Sequence, residues 1–255
     1  MTRIAINGND LYEEVEGDGS PVVLLHGGYC SLESMRPQQT ALAAAHRVHA
    51  YERPGHGRTA DLAGEYDYEQ MYAELTAYLD THGLEHPHLV GYSDGAILGL
   101  LLAMRQPERL RSLVAISPNL DPTAFQPDAG PIPALAPLEA EPERIEVERE
   151  IYERLTPDGP EHHDIVLDKL LRLWGREPNL VPADLAGIRT RTLVIGADRD
   201  AVRPDHVLTI AAAIPRAQLA IVPGTSHWLV ADKPEFVSRL ITDFLAEVEL
   251  AARTA

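Results

Sequence analysis

The stretch Gly91-Tyr92-Ser93-Asp94-Gly95 sets a serine between two glycines. The apolar run His88-Leu89-Val90 precedes it, and an apolar stretch from Ala96 to Met104 follows. A tight turn from strand to helix carries its central side chain to the top of a sheet, where a hydroxyl can attack a carbonyl. A serine hydroxyl is a weak nucleophile at neutral pH and needs a base held by an acid. His227, in "VPGTSHWLV", lies in a loop of small residues just past an apolar run, and is the base candidate. The loop after "TLVIG" offers Asp198 and Asp200, with Asp121 a more distant third. Asp200 is preferred for its loop position, and Asp198 stays open as a turn cap or an alternative acid. The negative charge that develops on an attacked carbonyl needs backbone N–H donors. "VVLLHGGYC" supplies small residues at a strand end, and the N–H groups of Gly28 and Asp94 are the candidate pair, with Tyr29 as runner-up. His26 reads as structural, its ring bonding nearby backbone.

These residues come from loops far apart in the chain, so a common scaffold must bring them together. Apolar runs suited to strands buried on both faces occur at 22–26, 47–51, 87–92, 111–117, 192–196 and 219–224. Before them, "RIAINGNDLYEEVEG" alternates around Asn7-Gly8 and predicts a hairpin. Helical spacing appears over Tyr68–His82, Ala96–Gln106, Asp205–Ile214 and Pro234–Glu249. Strands alternating with helices predict an α/β fold with a mainly parallel sheet covered on both sides. The rhythm breaks at 118–189, where a Pro-rich run precedes helical patterns near Glu143–Leu155 and His163–Gly175. We read 1–117 and 190–255 as the core and 118–189 as a helical cap over the strand ends.

In this order, "LLHGGYC", "ERPGHGRT", "LVGYSDGA", "TLVIGADRDAVRP" and "VPGTSHW" resemble the α/β-hydrolase-fold serine hydrolases along nearly the whole chain. The resemblance implies an eight-stranded sheet and the chain order nucleophile, acid, histidine, hence Ser93, Asp200 and His227. It makes Glu52–Thr59 a shaping loop and His56 structural. Two positions depart from the commonest pattern. Ala96 stands where a third glycine is frequent, and Arg191 where a proline often precedes the acid-bearing strand. Serine rather than aspartate at position 93 sets aside epoxide hydrolases and haloalkane dehalogenases.

The implied activity is hydrolysis of small to medium carboxylic esters through an acyl-enzyme. An amidase or aminopeptidase of proline-iminopeptidase type and a lactone or carbon–carbon bond hydrolase are alternatives. A ligand receptor on this fold with little turnover is a third, of another class. "GYSDG" is also similar to hydrolases of the valacyclovirase type, which implies that the Asp94 carboxylate reads a substrate amino group. Tyr29, Phe125, Tyr152, Trp174 and Trp228 are candidates to line an apolar substrate pocket.

Composition narrows the remaining classes. The 255 residues carry 39 Asp and Glu against 22 Lys and Arg, a formal charge of −17. That surface repels nucleic acid and anionic membranes. The single cysteine, Cys30, cannot form an internal disulfide and suits a reducing compartment. It reads as a small buried hydrophobe. The first ten residues lack an apolar signal core, and the expectation is a soluble cytoplasmic protein. No dinucleotide or phosphate loop is present, so no cofactor is expected. "EHHD" at 161–164 resembles a metal cluster but offers two ligands from one short stretch, and no metal is expected.

Overall fold

The chain opens on the hairpin that Asn7-Gly8 predicts. β1 (Thr2–Ile6) and β2 (Asn9–Glu16) pair antiparallel, with Ile6 opposite Asn9. Asn7 and Gly8 take φ of 50° and 87°, as the tight hairpin turn requires. This computed structural model describes residues 2–126 and 141–254. Further along run β3 (Ser20–Leu25), α1 (Arg36–Ala43), β4 (His46–Tyr51), α2 (Tyr68–Thr81), β5 (His88–Tyr92), α3 (Asp94–Arg105) and β6 (Ser112–Ile116). Two helices come next, α4 (Glu141–Leu155) and α5 (His163–Trp174). The chain closes with β7 (Arg191–Ala197), α6 (Pro204–Ala213), β8 (Gln218–Val222), α7 (Leu229–Asp232) and α8 (Pro234–Thr254).

The strands form one sheet of eight in the order β1-β2-β4-β3-β5-β6-β7-β8. β2 runs antiparallel to β4, and every pairing from β4 to β8 is parallel. The apolar runs are buried on both faces because alternate residues enter different cores. Val23, Leu25, Leu89, Leu113 and Val194 join the core that α2, α3 and α6 cover. Val22, Leu24, Val90, Val114 and Ile195 face the opposite core, which α8 closes with Val237, Ile241, Phe244 and Val248. At about 25 cal/mol per Å², this burial is the main force holding the strand ends in register.

Between β6 and β7 the described residues add no strand. The helical patterns there become α4 and α5, while residues 127–140 of the Pro-rich run lie outside the described residues. Two helices escape the sequence pattern. α1 buries Gln38 and Gln39 beside Leu42, so its inward face is not apolar, and α7 is only four residues long. α8 runs to Thr254, beyond the predicted Glu249.

Candidate active site

Ser93 sits between β5 and α3 with φ 51° and ψ −115°, in the left-handed half of backbone space. Such a conformation costs a non-glycine residue about 1–3 kcal/mol. It is held by the Ser93 N–H, which donates to Ile116 O at 2.8 Å. The flanking glycines are required by contact. A Cβ on Gly91 would lie 2.2 Å from Gly95 O, and one on Gly95 would lie 2.4 Å from Leu25 O.

The loops after β7 and β8 bring the partners. His227 Nε2 lies 3.1 Å from Ser93 Oγ, and His227 Nδ1 lies 2.6 Å from Asp200 Oδ1. The carboxylate side fixes the ring proton on Nδ1 and leaves Nε2 free to take a proton from the hydroxyl. Asp200 is buried, and its Oδ1 also accepts from Val202 N at 2.9 Å. Its Oδ2 accepts from Ser117 Oγ at 2.5 Å. Ser117 follows β6 with φ 49°. Its strand-end position, level with the other loops, is the only sequence signal it carries, and no motif marks it. Asp198 instead braces the His227 loop, accepting from Gly224 N at 2.7 Å. Asp121 caps a short 3₁₀ turn through Thr123 N.

The loop after β3 faces Ser93 from the other side. The Tyr29 N–H is taken by His56 Nε2 at 3.2 Å, which removes Tyr29 as a donor to substrate. The Gly28 N–H precedes it. Asp94, as the first residue of α3, has an N–H without an acceptor in its own helix. Gly28 admits no side chain, because a Cβ there would lie 2.4 Å from Trp174 Cζ2 and 2.5 Å from Asp94 Oδ2. His26 and His56 both bond backbone through both ring nitrogens. Burial holds their pKa values down, that of His56 to about 3, so both rings are neutral.

Asp94 links the sheet to the helical segment. Its Oδ1 accepts from Tyr68 OH at 2.8 Å and from Trp174 Nε1, at the end of α5, at 3.0 Å. Its Oδ2 is buried without a hydrogen-bond partner. Burial raises its pKa, against the Arg53 charge and the bonds from Tyr68 and Trp174.

A cavity of about 600 Å³ opens over Ser93 and His227. Tyr29, Phe125, Trp174 and Trp228 line it, as do Ile145, Leu167 and Leu171, which carried no signal beyond helical spacing. Tyr152 is the exception among the aromatic candidates. It lies outside the lining and stacks against Tyr29 with ring centroids 6.2 Å apart. Cys30 is buried near this loop, and burial pushes its thiol pKa up. The two histidines of "EHHD" part company. His162 bonds Asp61 at 2.9 Å, while His163 lies 3.1 Å from Asp164. No group of metal-binding side chains occurs among the described residues.

The model of the alpha/beta hydrolase family matches residues 22–240. A RutD protein of Azorhizobium caulinodans that bears the name of a carbamate hydrolase is 30% identical, over 94% of this chain and 96% of its own. The 2-hydroxymuconate semialdehyde hydrolase of Pseudomonas putida is 29% identical, over 92% of this chain and 90% of its own. Among solved structures, the enol-lactonase of Burkholderia xenovorans superposes with a TM-score of 0.77 at 21% identity, covering 96% of this chain and 99% of that one.

Proposed function

The chain belongs to the alpha/beta hydrolase family, and from that premise we propose that it hydrolyses carboxylic esters of small to medium size through an acyl-enzyme on Ser93. The observation that carries this reading is the row Ser93–His227–Asp200, with contacts of 3.1 and 2.6 Å. His227 Nε2 takes the Ser93 proton as Oγ attacks the carbonyl carbon, and the electron pair moves onto the carbonyl oxygen. The N–H groups of Gly28 and Asp94 receive that oxyanion. The tetrahedral centre then collapses, the alkoxide leaves, and His227 passes it the proton. Water attacks the acyl-enzyme by the same route and releases the acid. Asp200 holds the imidazole tautomer and stabilises the imidazolium throughout.

The cavity lining supports an apolar acyl or alcohol group. It holds Phe125, Leu167, Leu171, Trp174 and Trp228, and no lysine or arginine among the described residues. A fluorophosphonate probe followed by peptide mass spectrometry should label Ser93, and Ser93→Ala should lose at least ~10³-fold in kcat. A label elsewhere, or full activity in Ser93→Ala, overturns the reading. A burst of product without steady turnover favours a ligand receptor.

A second reading has its own support. One relative is named for a carbamate substrate and another for a semialdehyde, and neither name is that of a carboxylic ester. A panel of esters, lactones, carbamates and carbon–carbon substrates decides between them by kcat/KM. The unpartnered Asp94 Oδ2 supports a role in binding a substrate amine. Against it stand the two bonds that Oδ1 already accepts, one of them from α5. Equal kcat/KM for an amino-acid ester and its des-amino analogue removes the amine role.

A further inference from the structure

Arg53 is fully buried, two residues past the end of β4, and lies outside the row Ser93–His227–Asp200. Its guanidinium makes no ion pair with a carboxylate within 4.0 Å among the described residues. Glu74 and Asp94 lie within its electrostatic reach without bonding it. A buried cation is costly unless its charge meets polar partners. Here the partners are two carbonyls of the loop after β3. Nη1 donates to His26 O at 2.6 Å, and Nη2 donates to Gly27 O at 2.9 Å. The Arg53 backbone N–H donates to His26 Nε2 at 3.1 Å. That bond puts the His26 ring proton on Nδ1, which donates to the same Gly27 O at 2.7 Å.

Gly27 O and the Gly28 N–H are the two ends of one peptide unit. The unit is trans and planar, so its C=O and N–H point in opposite directions. Donors that fix the oxygen also aim the hydrogen. They polarise the unit as well, because hydrogen bonds in a chain strengthen one another and a charged donor is about twice as strong as a neutral one. We infer that Arg53, with His26 beside it, is a positioning residue that aims and polarises the Gly28 N–H toward the oxyanion. The inference rests on the proposed hydrolase reading, in which Gly28 is an oxyanion donor. Its effect is greatest when the carbonyl oxygen carries negative charge, so it belongs to the transition state rather than to substrate binding.

The test compares Arg53→Lys, Arg53→Met and Ser93→Ala with the wild-type protein on the best ester of the panel. Loss of one oxyanion donor costs about 10²–10³-fold in kcat in known cases, and a misaimed donor should cost less. Arg53→Met should lower kcat by about 10- to 100-fold with KM within about twofold, and Arg53→Lys should fall between, since an ammonium keeps the charge but lacks the planar fork and the reach that fix both carbonyls. Binding of a boronic-acid analogue, which forms a tetrahedral adduct on serine, should weaken in parallel with kcat. Arg53 also lines a second cavity of about 240 Å³ with Asn9, Met71 and Glu74, so Arg53→Ala leaves room for methylguanidinium, which should restore kcat in part. A loss confined to KM, or boronate binding that does not follow kcat, overturns the inference. Normal kcat in Arg53→Met beside an inactive Ser93→Ala overturns this inference alone, whereas a fully active Ser93→Ala overturns the hydrolase reading with it. If neither Arg53→Met nor Arg53→Lys folds, a crystal structure of the wild-type phosphonyl adduct decides. A phosphoryl oxygen about 2.7–3.2 Å from Gly28 N, with Arg53 still on Gly27 O, is the expected result, and an oxygen turned away from Gly28 overturns it.

Discussion

Ser117 shows how much a single hydroxyl can carry without a motif. It donates to Asp200 Oδ2, the oxygen that His227 does not use. A hydrogen bond to a charged group is worth about 1.5–3 kcal/mol, and an unsatisfied buried carboxylate oxygen is free to rotate toward another donor. Ser117→Ala should therefore lower kcat roughly 10-fold while KM holds, as steady-state kinetics on an ester will show. Unchanged kcat would mean that Val202 N and His227 alone hold the carboxylate. At this scale the sequence speaks clearly where chemistry demands a residue type. Turn and strand-end positions point to Ser93, Asp200 and His227, and the structure brings them within bonding distance. It speaks less clearly where type is not restrictive. Asp198 and Asp200 differ by two positions in one loop, so loop position prefers Asp200 without excluding Asp198, and the fold puts Asp200 on His227 and Asp198 on the Gly224 turn.

At the scale of elements, α4 carries a buried carboxyl that the proposed reaction does not use. Glu148 is 7 % exposed, and one of its oxygens has no partner. Burial raises its pKa to about 7, against the charge of Arg144 and a bond from Ser34, while Glu33 pushes it further up. In the unfolded chain the carboxyl ionises near its ordinary value of 4.5. The folded state therefore holds the proton more tightly, and stability falls as pH rises from that value through about 7. Glu148→Gln should melt close to wild type at pH 4.5 and above it at pH 8, by on the order of 1–3 kcal/mol. A difference independent of pH would refute the assignment. Helical periodicity foresees α4 and α5, but only α5 buries the expected apolar face, with Val166, Leu170 and Leu173, whereas α4 buries Glu148 and Tyr152 and leaves Val147 exposed. Their attachment is not legible in the sequence. It depends on polar contacts between distant residues, such as Arg144 with Asp232 and Lys169 with Asp61.

Across the whole molecule, the formal charge of −17 surrounds a cavity whose described lining includes no lysine or arginine. Such a field slows the approach of anions, and salt screens it over about 10 Å at 0.1 M. For an ester bearing a carboxylate, kcat/KM should rise about two- to fivefold between ~10 and ~200 mM NaCl, while a neutral isostere should hardly change. Identical salt dependence for both esters would show that the net charge does not reach the cavity mouth. No described helix is long and apolar enough to cross a membrane.

Local rules tie the scaffold directly to the amino-acid sequence. Apolar runs of strand length, helical spacing between them and the glycines around Ser93 specify the sheet, its covering helices and the strand-to-helix turn, because burial and sterics act within a few residues. The hairpin at Asn7-Gly8 arises in the same way. Chain order does not encode which distant groups share one point in space. That Tyr29 gives its N–H to His56, that Trp174 seats on Asp94, that Tyr152 stands behind Tyr29, and that Arg53 reaches Gly27 O are all outcomes of packing. Each depends on side-chain reach over a few ångströms between residues that lie 26 or more positions apart for the bonds to His56, Asp94 and Gly27. Periodicity says which face of an element is buried, whereas a hydrogen bond needs both partners placed to within a fraction of an ångström, and only the closed fold supplies that precision.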